Sequence, residues 1–160
     1  MRISKSVFLL ACFAGGSWAA TAQAQSGPYQ YFAITPCRVI DTRTVSSQTT
    51  GAPLPNPGPH NFRIQGNCNV PDGAKAVSLN ATVITPNRAG DLRLFPVTGS
   101  PPLVATMSYN ANEPALSNGA IVPLATVAAP GDKDLAVQHA MPVGAGGLMH
   151  LTIDITGYFQ

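Results

Sequence analysis

Two stretches of the chain alternate apolar and polar residues so regularly that they fix its fold class. In Ala76–Thr85, the residues Val77, Leu79, Ala81 and Val83 alternate with Ser78, Asn80 and Thr82. In Met149–Phe159, the residues Met149, Leu151, Ile153 and Ile155 alternate with His150, Thr152, Asp154 and Thr156. Successive side chains of a strand point to opposite faces, so each stretch is an antiparallel strand with one buried and one wet face. Weaker strand candidates are Gln30–Ile34, Arg38–Thr42, Asn61–Gln65, Asp91–Phe95, Ala105–Tyr109, Ala120–Val127 and Leu135–Gln138. Turn chemistry separates them at Pro53 to Pro59, Pro71 to Gly73, Pro86 to Gly90, Gly99 to Pro102, Pro130 to Asp132 and Gly144 to Gly147. This spacing predicts an all-β fold: an antiparallel β-sandwich, jelly-roll or Ig-like, of about seven to nine strands. Ala76–Thr85 and Met149–Tyr158 have the cleanest one-sided pattern and are expected to be central strands. The 15 Gly and 15 Pro are scattered without a period, which excludes collagen and argues against a helical bundle. Val45–Pro59, rich in Ser, Thr, Gly and Pro, reads as one long, flexible excursion.

Residues 1–24 have the three parts of a secretory leader. Arg2 and Lys5 give a positive start, Val7 to Ala14 are apolar, and Ala22-Gln23-Ala24 offers small residues at a cleavage site. Gly15, Gly16 and Ser17 interrupt the apolar stretch well before the about 20 residues that a membrane-spanning helix needs. Cleavage after Ala24 leaves residues 25–160 as a single domain that is secreted, periplasmic or on the cell surface. Leu9-Leu10-Ala11-Cys12 also resembles a lipoprotein box, which would place a lipid on Cys12. The short stretch before that Cys and the better site at Ala24 favour Cys12 as an apolar leader residue. The chain has 9 basic and 7 acidic residues. Without Arg2 and Lys5 the charges balance and form no basic cluster, which argues against a nucleic-acid partner.

Two cysteines remain beyond the leader, Cys37 and Cys68. In an exported protein such a pair most simply forms a disulfide. It is too few for a four-ligand zinc site, and the three histidines are dispersed.

The segments Thr35-Pro-Cys-Arg-Val-Ile-Asp-Thr-Arg43, Gly66-Asn-Cys-Asn-Val-Pro71 and Ala74-Lys-Ala-Val-Ser-Leu-Asn-Ala-Thr-Val-Ile-Thr-Pro86 carry a resemblance. Gly90-Asp-Leu-Arg-Leu-Phe-Pro96, Ser108-Tyr-Asn110 and His150-Leu-Thr-Ile-Asp-Ile-Thr-Gly-Tyr-Phe159 complete it. The chain is similar to a module found singly or in tandem in secreted and cell-surface bacterial proteins of largely unassigned function. The resemblance implies an extracellular β-rich domain whose two cysteines pair, and it transfers no catalytic residue.

Asp41 and Arg43 lie two apart on a predicted strand and share a face with Cys37 and Val39. They are read as an inward, structural polar pair beside the disulfide, with a ligand contact as the alternative. Asp154 and His150 are four apart on a strand, about 13 Å, too far for a dyad, and read as solvated surface. No Gly-x-Ser-x-Gly, His-Glu-x-x-His or phosphate-cradling glycine loop is present. Asp132-Lys133-Asp134 lacks the oxygen density of a calcium loop. No enzyme, metal site or cofactor is therefore expected. Asn80-Ala81-Thr82 matches a glycosylation acceptor but falls on a strand and is set aside. A sugar platform has to use Tyr29, Tyr31 or Tyr109, with Asn110 and Asn112, because the one Trp, Trp18, is in the leader.

The reading is a non-catalytic surface or envelope module for binding or adhesion. Its partner is an unknown surface ligand or glycan, or another envelope protein, with no nucleic acid and no membrane span. The alternative is a self-assembling fimbria-like subunit. Its alternating last strand ends in Tyr158-Phe159, with Gly147 fourteenth from the C-terminus, as in subunits that donate strands. Gln25–Gln30, with Gly27 and Pro28, is a poor donor arm for that role.

Overall fold

The computed structural model describes residues 28–142 and 146–160. The expected leader, its cleavage site at Ala24, Cys12 and part of the Gly144–Gly147 turn lie outside the described residues. Nine strands run in chain order: β1 Tyr31–Asp41, β2 Leu54–Pro55, β3 His60–Phe62, β4 Ala76–Ile84, β5 Gly90–Pro96, β6 Met107–Tyr109, β7 Leu116–Pro123, β8 Leu135–Ala140 and β9 Leu148–Phe159. Among the described residues there is no helix.

One sheet has the order β1-β9-β4-β7, with β2 pairing β9 beyond the end of β1, and the other has the order β3-β8-β5-β6. β5 pairs β6, β4 pairs β7, β3 pairs β8, and β1 and β2 both pair β9. With β1 and β2 taken together as one arm, each strand of the first half thus meets its counterpart counted back from the end. The chain is one long hairpin, rolled so that β4 also pairs β9 and β5 also pairs β8. That connectivity is a jelly roll, not an Ig-like sandwich. Val77, Leu79, Ala81 and Val83 of β4 meet Leu151, Ile153 and Ile155 of β9, Leu92 of β5 and Val137 of β8 in one hydrophobic cluster. The two strands with the cleanest alternation are the two inner strands of their sheet.

Local chemistry explains where the strands differ from expectation. The two segments expected at 30–34 and 38–42 are one strand, which reads as two because its register to β9 slips between Ala33 and Cys37. Thr35 and Pro36 fall in that slip, and Pro36 has no N–H to give a ladder. A second slip lies between Arg38 and Ile40. It reverses the alternation counted from Val39, sending Ile40 into the core and Asp41 to the outer face. The inward placement of Asp41 is therefore corrected. Cys37 is only half-buried, and its disulfide to Cys68 (Cα–Cα 5.7 Å) ties edge strand β1 to the β3–β4 connection.

The 45–59 excursion is built, not loose. Val45 bridges to Thr50. Thr49 Oγ1 donates to the Thr44 carbonyl at 2.7 Å, and Ser46 Oγ accepts from the N–H groups of Gln48 and Thr49. Gln48 grips the backbone of Arg63 from both sides, its Nε2 donating to Arg63 O at 3.0 Å and its Oε1 accepting from Arg63 N at 2.6 Å.

The strand expected at Asn61–Gln65 stops at Phe62 because Ile64 and Gln65 give their N–H groups elsewhere. Both donate at 2.8 Å to the two carboxylate oxygens of fully buried Asp134. Asp134 N donates in turn to Phe62 O at 3.0 Å. Burial pushes the Asp134 pKa up; the hydrogen bonds from Gln65 and Ile64 oppose that rise, as does the charge of Arg63. Removing this acceptor leaves two buried donors without partners, each costing about 1–3 kcal/mol. Asp134→Ala should therefore destabilise the domain by about 2–4 kcal/mol in urea unfolding. Asp132→Ala removes only an exposed bond to Ala129 N and should cost less than about 1 kcal/mol. Equal midpoints for the two variants would contradict this account.

Candidate functional site

Charged side chains on the outer face of β1 and β9 are paired with one another. Arg43 binds Asp41 with Nε–Oδ1 2.8 Å and NH2–Oδ2 2.7 Å. Arg38 binds Asp154 with Nε–Oδ1 2.8 Å and NH2–Oδ2 2.9 Å, and its NH1 lies 3.6 Å from Asp41. The result is a ladder, Arg43–Asp41–Arg38–Asp154, holding the edge strand to its neighbour. The side-chain hydrogen bonds from Arg43 hold the Asp41 carboxyl down at about 2. Both carboxylates are occupied on two oxygens, leaving them little capacity for a ligand.

The residues proposed for a sugar platform do not converge. Tyr31 is half exposed, and Tyr29 precedes it at the β1–β9 end of the sheet. The Tyr31 ring lies over Gly157, where any Cβ would collide with it, and meets Phe159 at 5.1 Å between centroids. Phe32 stacks on Tyr158 at 5.2 Å. Asn110 and Asn112 are exposed at the other end of β4, where Asn112 N donates to Pro86 O. Nine residues of β4 separate the two ends by about 26 Å. Tyr109 is 4% exposed and belongs to the core. Burial, reinforced by the charge of Asp91, pushes its pKa up to about 12. The structure thus places Tyr29 and Tyr31 at one end of the sheet, Asn110 and Asn112 at the other, and Tyr109 in the core.

Asp132 and Asp134 face apart, one capping a turn and the other inside the core. No group of three or more His, Cys, Asp or Glu among the described residues is placed to hold a metal ion.

A cleft of about 510 Å3 opens instead between β2, β3 and the turn before them. Thr49 and Thr50 come from the turn, Pro53, Leu54 and Pro55 from around β2, and His60 and Asn61 from β3, with Lys133 at the rim. No local pattern announces it, because most of its walls come from the stretch that reads as irregular. The cleft is shaped by the hydrogen-bonded turn and by His60, whose Nε2 lies 2.9 Å from the Pro55 carbonyl. A carbonyl only accepts, so His60 donates there and joins the two sheets.

Comparison with protein-family models, curated proteins and solved structures gives no match.

Behind His60, the ring of His139 is fully buried and stacks on it at 5.9 Å with an 18° interplanar angle. Burial pushes the His139 pKa down, aided by the charge of His60 and opposed by the Pro55 carbonyl. The folded state therefore resists protonation at this ring. Stability is complete above the unfolded value of about 6.5 and is lost as pH falls below it. We expect the melting temperature to drop between about pH 7 and pH 5, and His139→Leu to flatten that drop. Parallel pH profiles for wild type and His139→Leu would refute the assignment.

Proposed function

We propose that this protein is a non-catalytic, exported binding module whose ligand, a glycan or a comparable polar molecule, lies in the cleft between β2 and β3. The cleft itself carries the reading. Its volume falls in the range of small-molecule sites, about 300–1,000 Å3. Threonine hydroxyls, the Asn61 amide and three proline rings line it, a mixture of hydrogen-bonding groups and flat apolar surface suited to sugar rings. The titratable side chains on its walls are His60 and Lys133. Neither is set against a nucleophile or a carboxylate there, and a glycosidase uses a pair of carboxylates. The leader-like residues 1–24 support export.

One observation weighs against assembly by strand donation. The final strand β9, whose pattern raised that idea, is already paired on one side by β1 and β2 and on the other by β4.

Asn61 is exposed and lines the cleft, so Asn61→Trp fills it without touching the core. A glycan array, followed by titration of the strongest hit, tests the reading. The expected result is a loss of affinity of about tenfold or more in Asn61→Trp with an unchanged melting temperature. Undiminished binding by Asn61→Trp, or amide shifts centred on Tyr31 and Phe32 instead, would overturn it.

A further inference from the structure

The cleft continues past Gln48 and Lys133 into a second depression of about 240 Å3, lined by Ser47, Gln48, Arg63, Asn67, Gly131 and Lys133. Two of these six are cations and none is a carboxylate. Two of the nearby acids are engaged elsewhere. Asp134 lies buried beneath, held by the Ile64 and Gln65 N–H groups. Asp132 caps Ala129 N at 3.0 Å. Asp72, more than half exposed, approaches Arg63 NH2 only to 3.7 Å, a loose surface contact of little strength. Lys133 is exposed and makes no ion pair among the described residues.

Arg63 is anchored through its backbone, and its side chain lies along the floor of two glycine-containing turns. Its guanidinium lies against Gly66, where a Cβ would collide with it, and near Gly131. Its backbone is gripped by Gln48. A guanidinium fork matches the two oxygens of a carboxylate or sulfate, and a lysine lining the same depression adds a point charge. Ser47 and Asn67 place a hydroxyl and an amide at the same spot.

We propose that this depression binds the anionic group, carboxylate or sulfate, of an acidic saccharide whose neighbouring ring occupies the cleft. The inference rests on the cleft being a glycan site and names the class of glycan. Gln48 and Lys133 line both spaces, so one short oligosaccharide reaches both. A free anion fills only the second, and an acidic peptide lacks the hydroxyl-rich ring for the first.

Calorimetric titration of the full protein tests this with trigalacturonate, a sulfated disaccharide, neutral cellotriose, hexaglutamate and inorganic sulfate. Each probe is measured at low and high salt. The account expects one of the two acidic saccharides to bind about 10- to 100-fold more tightly than cellotriose at low salt, and that advantage to shrink as salt rises. Which of the two wins distinguishes carboxylate from sulfate. Lys133→Gln and Arg63→Gln should each abolish the advantage, and Arg63→Gln, at a residue that lines only the second depression, should leave cellotriose affinity unchanged. Lys133 is exposed on a turn, so its variant keeps the test valid even if Arg63→Gln misfolds. Equal binding of acidic and neutral saccharides, unchanged by Lys133→Gln, would overturn the inference and leave the cleft reading intact. Absence of binding by every saccharide would overturn both. Hexaglutamate or sulfate binding as tightly as the best saccharide would show that the site reads charge alone, and would also overturn it.

Discussion

A buried carboxylate organises this molecule. Asp134 has no solvent contact, and an ion in that position persists only if hydrogen bonds replace its water. Ile64 and Gln65 supply them. The backbone of Asp134 extends the junction, donating to Phe62 O and accepting from Ala125 N. Gln65, drawn inside by the same contact, donates to Ala74 O and Ala125 O at 3.2 Å each and accepts from Gly73 N at 2.9 Å. Connections that sequence alone would leave independent are thereby fastened at one point. One consequence is that Arg63, which precedes one donor, and Lys133, which precedes the acceptor, line the same depression.

The rest of the roll is closed by weaker and more distributed means. The residue before β1 and the residue after β9 meet as a backbone pair, Gln30 N to Gln160 O at 2.9 Å and Gln160 N to Gln30 O at 3.1 Å. Tyr31 covers the gap that Gly157 leaves on the sheet, an aromatic side chain shielding a glycine across the strand pair. The disulfide and the Arg43–Asp41–Arg38–Asp154 ladder fasten β1, an edge strand whose two register slips interrupt its own ladder. Holding that edge matters for the cleft, because β2 and the turn before it follow directly from β1.

The sequence was most legible where one physical rule acts alone. Strict alternation identifies β4 and β9, because a strand between two partners, with one face in the core, has little freedom to depart from period two. The disulfide follows from two cysteines in a chain whose first residues read as an export leader. Asp41 shows where such counting fails: a single extra residue at Val39 reverses every side chain after it, and no residue there announces a bulge. Asp134 was hidden for another reason. It sits in Asp132-Lys133-Asp134 after a glycine, which reads as solvated turn, although the apolar run Leu135-Ala136-Val137 starts at the next residue. The partners of its carboxylate are 69 and 70 positions away, a distance that local patterns do not span. The cleft was illegible for the same reason, since its walls are joined by Gln48 reaching to Arg63 across 15 residues.

Native-state amide exchange at Ile64 and Gln65 tests the central role of Asp134 most directly. Both amides lie beyond the end of β3, in what would otherwise be an ordinary loop. If the carboxylate holds them as described, they exchange as slowly as the amides of β4 and β9, opening only with global unfolding. Exchange at the rate of exposed loop amides, with β4 and β9 still protected, would contradict the account.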